Sequence, residues 1–109
     1  MPTKQVLIIN AQECVAGQEE EFNKWYNEHA SALFKSKAVK RIARYKRVGE
    51  DESVPQFLAV YFFDSERDYE QYMASPERED GLKVPGRPPP DGLKIKFRGQ
   101  FELMTSWDR

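Results

Sequence analysis

Cys14 is the chain's only cysteine and His29 its only histidine. One thiol cannot close an internal disulfide, so no covalent framework holds the domain together. A single histidine and a single cysteine also speak against a transition-metal centre, which draws on several such ligands; acidic residues remain available for a hard cation. The chain has no Gly-rich phosphate loop and no paired-cysteine motif, so no cofactor is expected. No run approaches the ~20 apolar residues of a membrane span, and the first residues lack an apolar signal segment, so a cytoplasmic protein without a membrane partner is expected. Excess positive charge is missing too: 17 basic residues face 18 acidic ones, for a net charge of −1. That balance gives no footing for binding dominated by phosphates, and no nucleic-acid partner is expected. Without repeats or low-complexity segments, the 109 residues are read as one domain, 1–109.

Aromatic rings, by contrast, are abundant: seven Phe, five Tyr and two Trp. They fall inside periodic segments. The β-branched run 4–10 reads as a strand, with "AQECVAG" as the connection after it. From Gln18 to Phe34 apolar side chains recur every three or four residues, through Phe22, Trp25 or Tyr26, His29 and Leu33, along one side of a helix. Residues 39–48 read as a second strand, with Arg44 and Tyr45 on opposite faces, and long cations on both faces place it at a sheet edge or beside a cleft. A polar turn links it to 56–63, whose nearly continuous apolar character requires cover on both faces. Ser65 and Asp68 form a capping pattern for a short helix that Pro76 brings to an end. The Pro/Gly-rich stretch 75–92 reads as a long loop whose length suits a binding or lid role, carrying Lys83 and Arg87. Strict alternation then places Leu93, Ile95, Phe97, Phe101, Leu103, Thr105 and Trp107 on one face of a last strand, with a bulge, bend or close approach at Gly99.

The order β-α-β-β-α-β predicts an α+β fold of ferredoxin-like topology, an antiparallel sheet with both helices on one side. The uncovered face of such a sheet is apolar here as well, and a second copy of the chain is the economical cover, so a homodimer is expected.

His29 admits two readings. It is a satisfied interior histidine, or a proton-transfer group at the edge of a pocket, since imidazole exchanges protons near neutral pH. Trp25 and Leu33, one turn away on either side, are its helical neighbours, whereas Glu28 points elsewhere. Trp25 and Tyr26 are candidates to wall a pocket and hold a flat substrate. Tyr45 is the candidate to orient His29 or a substrate oxygen, with ordinary packing as the alternative. Arg44 would anchor a carboxylate or enolate, or form an outward salt bridge. Among Tyr61, Tyr69 and Tyr72, Tyr61 is the one expected to reach a cavity. The basic segment 35–47, with seven Lys or Arg and no acid, is most simply a solvated face.

Residues 20–47, with Trp25, Tyr26, Glu28 and His29 followed by Leu33, Arg44 and Tyr45, resemble the EthD-like proteins of the dimeric α+β barrel superfamily. Ala30 or Ser31 stands where many members have proline. The resemblance implies a dimer with a pocket inside each subunit, between sheet and helices, and a first-helix histidine lining it. It also implies a small cyclic or aromatic, carbonyl-bearing substrate. One proton-transfer group most simply serves an isomerase or lyase that works without a cofactor, with His29 and Tyr45 catalytic and Trp25, Tyr26, Arg44 and Tyr61 binding substrate. A cofactor-free oxygenase of aromatic or polyketide-type substrates is the enzymatic alternative. A non-catalytic small-molecule-binding or structural accessory protein is the other.

Overall fold

The computed structural model describes residues 4–76, 78 and 94–109. Four strands and two helices follow in the order β1 (Val6–Glu13), α1 (Glu19–Leu33), β2 (Arg41–Lys46), β3 (Phe57–Phe63), α2 (Glu66–Met73) and β4 (Lys94–Glu102). The strands form one sheet in the order β2-β3-β1-β4, each neighbouring pair antiparallel. This is the expected ferredoxin-like topology.

α1 exists because its apolar stripe has a sheet to cover. Phe22, Trp25, Tyr26, His29 and Leu33 are its buried residues, one or two per turn on a single side. Large apolar side chains buried this way contribute about 1.5–3 kcal/mol each. Glu19, Glu20 and Glu21 occupy the first turn, where exposed amides favour negative charge. α2 is shorter and starts where the capping pattern predicts, with Ser65 Oγ accepting from the Asp68 amide at 3.1 Å. The loop 75–92 lies, apart from Ser75, Pro76 and Arg78, outside the described residues, as do Lys83 and Arg87.

Pairing registers assign every strand residue to a face. Val6, Ile8, Asn10 and Gln12 of β1 stand opposite Phe63, Tyr61, Ala59 and Phe57 of β3, and these face the helices. Leu7, Ile9 and Ala11 stand opposite Phe62, Val60 and Leu58 and face away from them. On β2, Ile42 and Arg44 pair with Tyr61 and Ala59 on the helix side, whereas Arg41, Ala43 and Tyr45 pair with the outer set. Among the described residues, no helix lies over the outer face. Tyr45, Phe97 and Phe101 lie on it and are each close to half exposed.

Three sequence expectations change, the first being the length of the last strand: β4 ends at Glu102, so Leu103, Thr105 and Trp107 lie beyond it. β1 continues to Glu13, so Ala11–Glu13 belong to the strand and not to a connection. Gln12 and Glu13 resembled loop because they are polar, but both have ladder partners on β4. The irregularity of β4 also lies elsewhere. Ala11 pairs with Phe97 but Gln12 with Ile95, which leaves Lys96 as an extra residue. That slip turns Ile95 to the helix side and separates it from Phe97, Phe101 and their outward neighbours. At Gly99 the close-approach alternative holds: an added Cβ would sit 3.1 Å from Cε2 of Phe101, whose ring folds back over the glycine.

Candidate functional site

Between β1 and α1 the helix-facing side chains do not fill the interior. A cavity of about 190 Å³ remains there. An apolar cavity of about 150 Å³ accepts benzene, so this one suits a single ring with short substituents.

One wall comes from α1. Trp25, Tyr26, His29 and Leu33 line the cavity because they share the helix's inward stripe. His29 is 7% exposed. Its ring stacks on Trp25 with centroids 4.9 Å apart and 12° between the planes. It meets the Tyr26 ring in a T-shaped arrangement, with centroids 5.2 Å apart. Two aromatic neighbours at these distances restrict the imidazole to a narrow range of orientations, which is what a proton-transfer group requires.

The opposite wall is the sheet. Ile8, Asn10 and Gln12 alternate along β1, and Tyr61 reaches in from β3 beside Ile8. The Tyr61 and Tyr26 hydroxyls are hydrogen-bonded to each other. Two hydroxyls carry two protons and their mutual bond consumes one, so one proton remains to donate to a bound oxygen. Burial, reinforced by the Tyr26 oxygen, pushes the Tyr61 phenol far above its usual value. Tyr72, stacked on Tyr61 at 6.5 Å, is pushed up to about 12 by burial, against the opposing pull of Arg78 and Arg98. Both phenols stay neutral donors at physiological pH.

The polar atoms on β1 stand out. Gln12 is 2% exposed, yet its Oε1 and the buried Oδ1 of Asn10 have no hydrogen-bond partner among the described residues. Each such orphan costs about 1–3 kcal/mol unless something fills the space beside it. Arg78 and Arg98 complete the lining, so the cavity offers cationic groups as well as carbonyl acceptors.

Of the residues singled out from sequence, His29, Trp25, Tyr26 and Tyr61 come together here. Tyr45 and Arg44 do not. Tyr45 is on the other side of the sheet, 48% exposed, and cannot touch His29 within the chain. Arg44 faces α1 but bonds it from the flank: Nη2 donates to Asn23 Oδ1 at 2.8 Å and Nη1 to Asn27 Oδ1 at 3.0 Å. Its guanidinium lies 4.8 Å from the Tyr26 ring centroid and covers the core's edge, and burial lowers its proton affinity. Both residues therefore lack the contact that steadying an oxyanion at His29 would need. Asn10, Gln12, Arg78 and Arg98 were not singled out. The available signal was Asn10 closing the apolar run 4–10, with Gln12 two residues further on the same face.

No protein-family model and no curated protein matches the chain. Solved structures do. A hydroxynitrile lyase from Passiflora edulis superposes with a TM-score of 0.68 at 10% identity, covering 99% of this chain and 100% of its own. SnoaB, a cofactor-independent oxygenase from Streptomyces nogalater, gives 0.64 at 13% identity over 98% and 100% of the two chains. A dimeric ferredoxin-like protein of unknown function from Thermobifida fusca gives 0.65 at 15% identity over 93% and 92%. At such identities the likeness is one of architecture. By topology and by these superpositions, the chain has a ferredoxin-like β-α-β-β-α-β fold that it shares with these proteins.

Proposed function

We propose that the chain is an enzyme of the isomerase or lyase class that moves a proton beside the carbonyl of a small single-ring metabolite, using side chains alone. His29 is the acid/base group. The observation that carries this reading is a buried imidazole, held by Trp25 and Tyr26, on the wall of a ring-sized cavity.

In outline, a carbonyl compound enters with its ring between Trp25 and the sheet. His29 takes the proton from the carbon next to the carbonyl, and the electron pair moves onto the carbonyl oxygen. The proton left over by the Tyr26–Tyr61 pair hydrogen-bonds that oxygen as charge develops on it. Returning the proton at another carbon gives isomerisation; loss of a leaving group from the neighbouring carbon gives elimination. The hydroxyl pair takes the part that the sequence assigned to Tyr45 and Arg44.

The working unit in this proposal is a cytoplasmic homodimer whose outer sheet faces meet. The exposed rings of Tyr45, Phe97 and Phe101 support it, as does the dimeric relative of the same fold. The EthD-like resemblance, carried by Trp25, Tyr26, Glu28 and His29, agrees with a first-helix histidine at the pocket. A hydroxynitrile lyase on the same architecture supports lyase chemistry there.

The likeness to SnoaB favours one second reading, a cofactor-free oxygenase, which begins with the same deprotonation and then passes electrons from the substrate anion to oxygen. Small cyclic acids, lactones and phenols incubated with the wild type and His29→Gln, in air and under nitrogen, separate the readings. Isomerase or lyase chemistry gives turnover in both atmospheres that His29→Gln lowers by about 10²-fold or more. Oxygen-dependent product selects the oxygenase. Equal turnover by His29→Gln refutes both, and a stable dimer that binds these compounds without turning any over is an accessory binding protein.

A further inference from the structure

Two acceptors left without donors on one strand, both on the wall of one cavity, describe the missing partner. Asn10 and Gln12 are two residues apart on β1, and both point to the helix side. Their buried carbonyl oxygens accept nothing from the described residues. A purely apolar ring would leave both unsatisfied, and so would a ligand offering only acceptors. A ligand with two separated hydroxyl groups satisfies both, since strand residues two apart are about 6.6 Å from each other along the chain. Arg78 and Arg98 line the same cavity near Tyr72, and Arg98 stands across from Asn10 on β4. This cationic pair suits an acidic group on the ring.

We propose that the cavity takes a single-ring acid bearing at least two hydroxyl groups, with its carboxylate toward Arg78 and Arg98 and its hydroxyls donating to Asn10 and Gln12. The assignment rests on reading this cavity as the substrate site and names the class of substrate. Asn10 and Gln12 are its specificity-determining residues. They discriminate sharply, because a ligand without the donors leaves two buried oxygens unpaired.

Calorimetric titration with a graded set of probes tests this. The set comprises benzoate, meta-hydroxybenzoate, the dihydroxybenzoate with both hydroxyls meta to the carboxylate, and its dimethoxy analogue. In the wild type each hydroxyl tightens binding by about fivefold or more, and methylating both removes the gain. Gln12→Met and Asn10→Leu each erase one step while leaving benzoate within about twofold. Both variants also raise the Tm of the ligand-free protein, by roughly 4 °C or more, because an orphaned polar group is replaced by an apolar one of similar shape. Arg98→Gln weakens all four carboxylates together and leaves the hydroxyl steps intact.

Equal binding of the hydroxy and methoxy probes overturns the proposal, as does a Gln12→Met protein that keeps both steps without gaining stability; trapped water then satisfies the two oxygens. Failure of every carboxylate to bind overturns the acidic class. His29→Gln keeps the hydroxyl steps if the binding assignment is right, whether or not it keeps turnover, so the two readings fail separately.

Discussion

Trp25 and His29 lie face to face one helical turn apart, their centroids separated by 4.9 Å and their planes by 12°. The indole is the largest fixed surface against which the imidazole can rest, and stacked aromatic pairs add about 0.5–1.5 kcal/mol beyond the area they bury. Because the chain has one histidine, its ring protons form a single set of signals in a proton spectrum. The indole's ring current displaces them from their free-peptide positions. Trp25→Leu returns them toward those positions and lowers turnover by about tenfold or more through loss of alignment. Unmoved resonances in that variant would show that the stack does not hold the imidazole.

The shared hydroxyl proton is open to a direct comparison. Tyr61→Phe and Tyr26→Phe each break the pair bond and remove one donor. Both variants are expected to lose about 10²-fold in kcat, the scale of a deleted oxyanion donor. The accompanying stability loss is about 1 kcal/mol. A fall in kcat confined to one of them identifies the hydroxyl that faces the substrate. A change in KM alone removes the pair from the chemical step.

Arg44 is expected to matter for folding and not for chemistry. Its fork grips Asn23 and Asn27, one turn apart on α1, and covers the rings of Phe22 and Tyr26. Arg44→Lys keeps the charge and loses the fork, so it is expected to cost about 1–3 kcal/mol in denaturant unfolding. The folded variant should keep its kcat/KM. A large kcat loss without destabilisation would return Arg44 to the site.

Cys14 should react slowly. Partial burial raises its thiol above the usual value, and the nearby Glu19 adds to the effect. A raised thiol pKa means less thiolate at a given pH, so alkylation by iodoacetamide near pH 8 should run below the rate of an unhindered thiol and climb as pH rises. Mass spectrometry over a pH series measures it; fast modification at neutral pH contradicts the burial.

The open face of the sheet gives an association prediction. Phe97→Glu and Phe101→Glu put charge where a second sheet would seat, and each should shift the sedimentation coefficient from dimer to monomer. If both variants sediment as the wild type does, the sheets do not meet through this face.

Much of this was legible in the sequence because it was periodic. The stripe from Phe22 to Leu33 placed His29 on the inward side of α1 correctly, and the alternation of β2 separated Arg44 from Tyr45. Roles were harder to read than faces. Tyr45 was given a partner across the sheet that a regular strand cannot reach, and the Tyr26–Tyr61 bond joins residues whose proximity only the packing of α1 on β3 creates. Gln12 escaped notice for a similar reason. A polar residue facing a cavity looks like the start of a loop when only neighbouring residues are read, and its unpaired oxygen becomes visible only when the walls around it are present.

The extra residue at Lys96 has a practical consequence for anyone redesigning this protein. On either side of it β4 obeys opposite parity: Ile95 and Arg98 border the cavity, while Phe97 and Phe101 belong to the outer face. A mutant library that follows simple alternation from Ile95 would diversify one cavity position and then stray onto the outer face of the sheet. Libraries aimed at new ligands should jump from Ile95 to Arg98. Deleting Lys96 should restore uniform alternation, with Ile95 kept on the cavity side and Phe97 on the outer face.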